Sequence, residues 1–192
     1  MDKKLNIKFY SQHSDDIEQE WQDKACGIAC LKMALSYSGK GEEISAMDLI
    51  KEGKYIGGYN PLHGWLHDSL VNILRNYGLP AYRQEFRSHS VNPSEKNSTK
   101  SIHEEKLISV GVGKIIQSIE KGSPVVISVK EGFDTNNSTH LILLVGFKIE
   151  DRSVTGFFYF DPNKSQDEGI EPQFMSLDRF NSNWRKLAIF VA

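Results

Sequence analysis

The chain has 192 residues, 39% of them hydrophobic and 25% charged, and its 23 Lys and Arg nearly balance 25 Asp and Glu, for a formal net charge of -2. This length suits one domain. The near-neutral balance excludes the strongly basic surface with which proteins bind nucleic acid or anionic membranes, so we expect neither partner.

The N-terminus and the apolar runs argue against secretion and membrane insertion. No apolar stretch follows Lys3 and Lys4, as it would in a signal peptide. The longest apolar run, Leu141 to Val145, is far shorter than the ~20 residues that span a bilayer. Cys26 and Cys30 are the only cysteines, too few for a secreted disulfide scaffold. We therefore expect a cytoplasmic protein.

Three helices are predicted in the first 80 residues. The first begins near Cys26 and ends at Gly39, and it is apolar around nearly its whole circumference, so it must be buried. Capping and stop residues predict a second helix over residues 45–53 and a third over residues 60–78. These elements predict a helical lobe over about residues 1–80.

The composition changes over residues 87–106, which are rich in Ser, Asn, Lys and Glu. Such a segment is long for a loop, so we predict a mobile segment at the seam between two lobes. A sheet lobe over about residues 107–192 follows, with one short helix ending at Gly122. Its predicted strands cover residues 124–129, 140–147, 156–161 and 186–191. Helices followed by antiparallel strands predict a single α+β domain over residues 1–192.

Two polar residues are predicted to meet at the open end of a hairpin. A turn at residues 150–153 makes the two arms nearly equal, which places His140 and Asp161 within roughly 5–8 Å of each other. Cys26 lies at a predicted helix N-terminus, where the helix dipole favours a thiolate. A helix aimed at this end would complete a nucleophile, a base and an orienting carboxylate. Alternatively, Cys26 is a small core residue and the other two residues belong to turns.

Several short motifs, in the same order, resemble papain-like cysteine peptidases of the bacteriocin-leader-peptidase-like (double-glycine peptidase-like) branch. They are Tyr10-Ser11-Gln12, Trp21, the segment from Ala25 to Met33, Gly64-Trp65, Tyr77-Gly78-Leu79, the segment from Lys121 to Val125, His140 with Gly146, Asp161-Pro162, and the segment from Trp184 to Val191. The resemblance implies a papain-like fold, a peptide or protein substrate and no cofactor or metal. It also implies Cys26 as the nucleophile, His140 as the general base and acid, and Asp161 as the residue that orients the imidazole.

The family's oxyanion donor is a Gln before the Cys, and the sequence has two candidates. Gln12 matches the Tyr-Ser-Gln motif but lies fourteen residues upstream of Cys26, whereas Gln22 lies four residues upstream, near the spacing of the dedicated leader peptidases. Ala25 departs from the Asp that those enzymes carry. We expect Gln12 to be the donor, because an extended lead-in segment can fold back over the nucleophile.

Other interpretations stay open at this point. The same residues could transfer the acyl group to an amine, as in a transferase or ligase, or the fold could be an inactive peptide-binding module. His63 and His67, four apart on the predicted third helix, have a zinc-ligand spacing but fit the flank of that helix better. Trp65 and Tyr59 are equally consistent with a substrate cleft and with packing. The sequence does not indicate the oligomeric state.

Overall fold

The computed structural model describes residues 2–87, 97–130 and 139–191, with the side chains of residues 97–102 left aside. The elements in chain order are β1 (Asp2–Lys4), α1 (Gln19–Gln22), α2 (Cys26–Tyr37), α3 (Ala46–Tyr55), β2 (Tyr59–Asn60), β3 (Gly64–Trp65), α4 (His67–Asn76), β4 (Ala81–Glu85), α5 (Asn97–Glu120), β5 (Val125–Lys130), β6 (Thr139–Glu150), β7 (Ser153–Phe160), β8 (Gln173–Ser176), α6 (Leu177–Asn183) and β9 (Trp184–Val191). None of the described helices has both the length and the apolar character needed to cross a membrane.

The early helices form as their sequences predict. The Ser45 side chain accepts from the Asp48 backbone N–H, and the Asp48 carboxylate accepts in return from Ser45, which makes a capping box at the start of α3. Helix α2 is buried on most of its surface, as expected for a helix with so few polar residues. It packs against β6, so the apolar helix is the core element that joins the helices to the sheet.

The sheet is antiparallel, with strand order β4-β9-β5-β6-β7-β8, and β1 pairs with β6 beyond the end of β5. Strands β6 and β7 form the predicted hairpin, with Glu150 paired to Ser153. Asp151 and Arg152 make the turn with positive φ values of 48° and 65°, the pattern of a type I′ turn whose twist matches that of the strands. The open end of this hairpin therefore faces α2, about ten residues from the turn.

Three details differ from the sequence predictions. The third helix begins at His67 rather than at residue 60, because residues 59–65 form the small β2–β3 hairpin instead. Residues 97–106, expected within a mobile segment, are the first part of α5; residues 88–96 of that prediction lie outside the described residues. The predicted division into a helical lobe followed by a sheet lobe is also not strict, because β1, the first element of the chain, lies in the sheet.

Candidate active site

The hairpin brings His140 and Asp161 together. Leu143 pairs with Phe160, so the continued register places Asp161 opposite Ile142. His140 is the diagonal neighbour of Asp161 on the same face, two residues further along β6. The imidazole Nε2 lies 2.6 Å from the Asp161 Oδ1, and both side chains are largely buried. This contact leaves the Nδ1 atom of His140 for a second partner.

The protonation state of His140 follows from this contact. Burial alone lowers the pKa of the imidazole, but the hydrogen bond to Asp161 and the interaction with Cys26 outweigh it and raise the pKa to about 10. Burial raises the pKa of Asp161, whereas the hydrogen bond to His140 lowers it, and the net direction is downward. The pair is therefore an imidazolium and a carboxylate at neutral pH.

Cys26 is the first residue of α2 and is partly exposed. The N-cap residue, Ala25, makes no side-chain hydrogen bond to the first turn, so no capping group competes with the thiol for the helix N-terminus. Gly27 follows, and a Cβ atom there would come within 3.0 Å of methyl carbons of Leu141 and Leu70. Glycine thus allows the helix N-terminus to approach β6 closely, next to His140.

Cys30, one turn further along α2, has a structural role. Its thiol is fully buried and donates to the backbone oxygen of Leu141, with the sulfur 3.6 Å from that oxygen. Burial, together with the nearby Cys26 and Asp161, raises the pKa of the Cys30 thiol well above its ordinary value. Cys30 is thus held as a neutral thiol, and it anchors α2 at the residue that follows His140.

Gln12 lies at the same end of the hairpin. Its backbone N–H donates to the Pro162 oxygen at 2.8 Å, and its side chain is 4% exposed. The Nε2 atom donates to the Asn163 Oδ1 at 3.4 Å, while the Oε1 atom is buried and has no partner among the described residues. The Gln12 amide has two N–H groups, and only one of them can donate to the Asn163 oxygen, which leaves the other for a ligand.

Gln22 is placed differently. Its Nε2 atom donates from the end of α1 to the Ile17 oxygen, just before that helix, at 3.2 Å. The side chain is half-buried and is tied to its own segment. The structure therefore joins Gln12, and not Gln22, to the loop that follows Asp161.

The loop after Asp161 contains a further residue of the site, Asn163. The Asn163 backbone N–H donates to the Asp161 Oδ1 at 3.0 Å, and its side-chain oxygen also lies 2.9 Å from the His13 Nε2. Asn163 thus connects Asp161 to the segment of Gln12. The Asp-Pro-Asn order was visible, but nothing in the sequence showed that residues 12 and 163 would meet.

A cleft of about 650 Å³ opens beside Cys26. Tyr59 and Trp65 line it, and both rings also pack against Trp21, with centroid separations of 5.0 and 6.0 Å. The Trp65 Nε1 donates to the Lys24 oxygen at 2.7 Å, just before Cys26. The aromatic residues therefore serve both as cleft wall and as packing.

His63 and His67 do not share a helix. His63 lies between β2 and β3, and His67 is the first residue of α4. The prediction that both histidines lie on the third helix is therefore wrong, and with it the helical spacing that a metal site would have used. Among the described residues, no group of three His, Cys, Asp or Glu side chains could hold a metal ion.

Comparisons with known proteins show the family and the fold of the chain. The model of the Peptidase_C39 like family matches residues 4–188. No curated protein sequence matches the chain. Three solved structures are similar over nearly the whole length. The peptidase domain of Streptococcus ComA, a bi-functional ABC transporter involved in a quorum sensing pathway, is 17% identical with a TM-score of 0.60, and the match covers 96% of this chain and 97% of that one.

A Bacillus anthracis protein described as a C39-like peptidase is 17% identical with a TM-score of 0.60 and coverages of 99% and 97%. A double glycine motif protease from an AMS/PCAT transporter, solved in complex with the leader peptide, is 16% identical with a TM-score of 0.55 and coverages of 98% and 94%. At such identities the likeness concerns the fold, and it confirms the predicted α+β, papain-like class.

Proposed function

This chain belongs to the Peptidase_C39 like family and is a papain-like cysteine peptidase, and on that premise we propose that it hydrolyses peptide bonds through Cys26, His140 and Asp161, with Gln12 at the oxyanion. The observation that carries the proposal is the buried His140–Asp161 contact of 2.6 Å next to Cys26 at the start of α2. That arrangement has the nucleophile, base and orienting group of an acyl-transfer site.

The first half of the reaction uses an ion pair. His140 is an imidazolium held by Asp161, and the nucleophilic form of Cys26 is its thiolate. The thiolate attacks the carbonyl carbon of the scissile amide and forms a tetrahedral oxyanion. His140 then donates its proton to the leaving nitrogen, the C–N bond breaks, and a thioester to Cys26 remains.

The second half regenerates the enzyme. His140, now neutral, accepts a proton from a water molecule that attacks the thioester carbonyl, and the carboxylic acid product leaves as the C–S bond breaks. The backbone N–H of Cys26 and the free N–H of the Gln12 amide stabilise the oxyanion in both halves. None of these steps requires a group beyond the side chains named here and water.

A peptide is the substrate class that the cleft supports. The cleft beside Cys26 has a volume of about 650 Å³ and an aromatic wall of Tyr59 and Trp65. A related double glycine motif protease has been solved with the leader peptide that it binds. Both cysteines of this chain are free thiols, which fits the reducing conditions of the cytoplasm, where we place its activity.

The direct test is the reactivity of the two thiols. Limited alkylation with iodoacetamide near pH 6.5, followed by mass spectrometry, should label Cys26 at least ~10-fold faster than Cys30, because the thiolate is the nucleophile. Peptide-library cleavage should disappear in Cys26→Ala. Cys30→Ala, the matched control, should keep both the labelling of Cys26 and the cleavage. Equal labelling of the two cysteines, or cleavage that survives in Cys26→Ala, would contradict the proposal.

A further inference from the structure

Arg185 lines the cleft beside Cys26, and Arg83 and Arg87 each share a neighbouring cavity with it. Within the described residues, Arg185 is the one of these three arginines that has no acidic partner. Arg83 forms ion pairs with Asp68 and with Glu85, the latter at 2.9 Å. Arg87 lies 3.3 Å from Glu85. The described part of the chain contains no carboxylate within ion-pair distance of the third arginine, Arg185. A half-buried guanidinium without a counter-charge is costly, and a bound anion would compensate it.

Arg185 lies on the wall of the reactive cleft. Near the start of β9, it lines the same cavity as Cys26, together with Thr139, the neighbour of His140. It also lines an adjoining cavity of about 480 Å³ with His67 and Arg83. A group bound at Arg185 would therefore lie close to the scissile bond.

His67 is the second polar group at this place. Burial lowers the pKa of its imidazole, and the positive charges of Arg83 and Arg185 lower it further. The imidazole is thus neutral at pH 7 and offers one N–H to a ligand.

The remaining charges at the cleft do not neutralise Arg185. The cleft beside Cys26 is lined by the cations Lys24 and Arg185 and, among the described residues, by one carboxylate, Asp23. The carboxylates of the adjoining cavity, Asp68 and Glu85, are both occupied by Arg83. Glu104 lines a third cavity with Arg185. None of these described carboxylates, Asp23 and Glu104 included, lies within ion-pair distance of Arg185, so a substrate could supply the acceptor.

We propose that Arg185, assisted by His67, binds a carboxylate of the substrate within a few residues of the scissile bond, an inference that rests on the proposed peptidase function. A planar guanidinium binds a carboxylate through two parallel N–H···O bonds, which are strong because both partners are charged. The carboxylate is either the side chain of Asp or Glu or the C-terminus of the peptide. The substrate class is thus acidic near the cleavage site.

The test uses affinity labels that react with Cys26 without any need for cleavage. Iodoacetyl-Gly-Glu-amide is compared with iodoacetyl-Gly-Gln-amide, and both with iodoacetyl-Gly-Gln that has a free C-terminal carboxylate. In each case the Cys26 sulfur forms a bond to the methylene carbon and iodide leaves. Mass spectrometry gives the labelling rate of Cys26 in the wild type, in Arg185→Gln and in Arg152→Gln, a control with the same change of charge at the far turn of the β6–β7 hairpin.

We expect the wild type and Arg152→Gln to react about tenfold faster with a carboxylate label than with the neutral one, because a charged, partly desolvated hydrogen bond is worth roughly that factor. Of the two carboxylate labels, the one that reacts faster shows whether Arg185 prefers an acidic side chain or a C-terminal carboxylate. In Arg185→Gln the difference should fall to within about twofold, while the rate with the neutral label stays unchanged. Arg185→Lys should keep part of the preference, which guards against a misfolded Gln variant.

Two results would overturn the inference while the peptidase function stands: equal rates for all three labels at a reactive Cys26, and a carboxylate preference that persists in Arg185→Gln. A Cys26 that reacts no faster than Cys30 would instead overturn the peptidase function, and the inference with it.

Discussion

Strand β6 carries two charge pairs whose N···O distances are equal, one at each end of the β6–β7 hairpin. His140 and Asp161 lie 2.6 Å apart with side chains 9% and 15% exposed, and Lys148 and Glu150 lie 2.6 Å apart with side chains 36% and 54% exposed. Water screens the second pair and not the first. Burial, and not distance, distinguishes the end that can do chemistry from the end that is an ordinary surface.

The consequences for protonation differ in the same way. The neighbouring Glu150 raises the pKa of Lys148, but a lysine is protonated at neutral pH in any case. His140 would be mostly neutral at that pH, and with its partners it becomes an imidazolium with a pKa of about 10. Only the buried pair changes the protonation state of one of its members at neutral pH, because it makes His140 an imidazolium. A protonated imidazole is what the donation of a proton to a leaving amine requires.

The largest effect is expected from the buried carboxylate. Asp161→Asn removes the charge that holds the imidazolium, so kcat on a cleaved peptide should fall by ~10⁴-fold, as in other triads whose carboxylate becomes an amide. The upper limb of the pH profile of kcat/KM should also move downward from about 10, towards the ordinary histidine value, because the charge of Asp161 is gone and only Cys26 still raises the pKa of His140. Steady-state kinetics across pH measure both effects.

Glu150→Gln is the matched control for that variant, because it makes the same chemical change in the exposed pair. Its kcat should stay within about twofold of the wild type. Circular dichroism should show that both variants are folded. Similar activities for Asp161→Asn and Glu150→Gln would contradict the claim that only the buried pair takes part in catalysis.

The next largest effect concerns the oxyanion. Gln12→Ala should lower kcat by ~10²–10³-fold and leave KM nearly unchanged, since the amide acts mainly in the transition state. The kcat of Gln22→Ala should stay within a few-fold of the wild type, because the Gln22 amide donates to the Ile17 oxygen, just before α1. Parallel kinetics on one peptide compare them, and a silent Gln12→Ala beside an impaired Gln22→Ala would reverse the assignment.

A smaller effect is expected from the residue that connects the buried pair to Gln12. Asn163→Ala removes the side-chain oxygen that accepts from Gln12 and His13, while the backbone N–H that donates to Asp161 remains. Loss of one neutral hydrogen bond should lower kcat about fivefold to tenfold with little change in KM. An unchanged kcat, or a loss confined to KM, would show that Asn163 does not position the Gln12 amide.

The smallest expected effect is on stability. The pKa of His140 is raised from 6.5 in the unfolded chain to about 10 in the folded one, so the pair stabilises the fold fully below pH 6.5. This stabilisation is lost as the pH rises from 6.5 towards 10, because over that range the unfolded chain has released a proton that the folded state still holds, and deprotonation therefore favours unfolding. Urea unfolding at about pH 6 and about pH 9.5 should show a decline in the free energy of unfolding.

Asp161→Asn should show a smaller decline than the wild type over this pH range, and Glu150→Gln should match the wild type. A decline of the same size in all three proteins would assign the pH dependence to groups other than the buried pair.

The site was predictable where it depends on local geometry. A helix start, a strand start and a hairpin of known turn are each encoded within about twenty residues, so the placement of Cys26, His140 and Asp161 at element ends could be read directly. The third helix was misplaced because Asn60-Pro61 is as good a turn as a helix start, and the β2–β3 pairing decided between them. The helical start of α5 was missed because its residues are polar and lack apolar periodicity.

The sequence by itself determined the α+β class, the buried first helix, the hairpin and the two residues at its open end, because each depends on periodicity, capping or turn chemistry. Only the tertiary structure decided how the start of α2 approaches that end, which glutamine meets the loop after Asp161, which arginine lacks a carboxylate, and how deeply each charge pair is buried. These properties depend on contacts between residues far apart in the chain, such as Gln12 and Asn163, which are 151 positions apart. No local pattern encodes such contacts, because the packing of the whole core brings the two segments together.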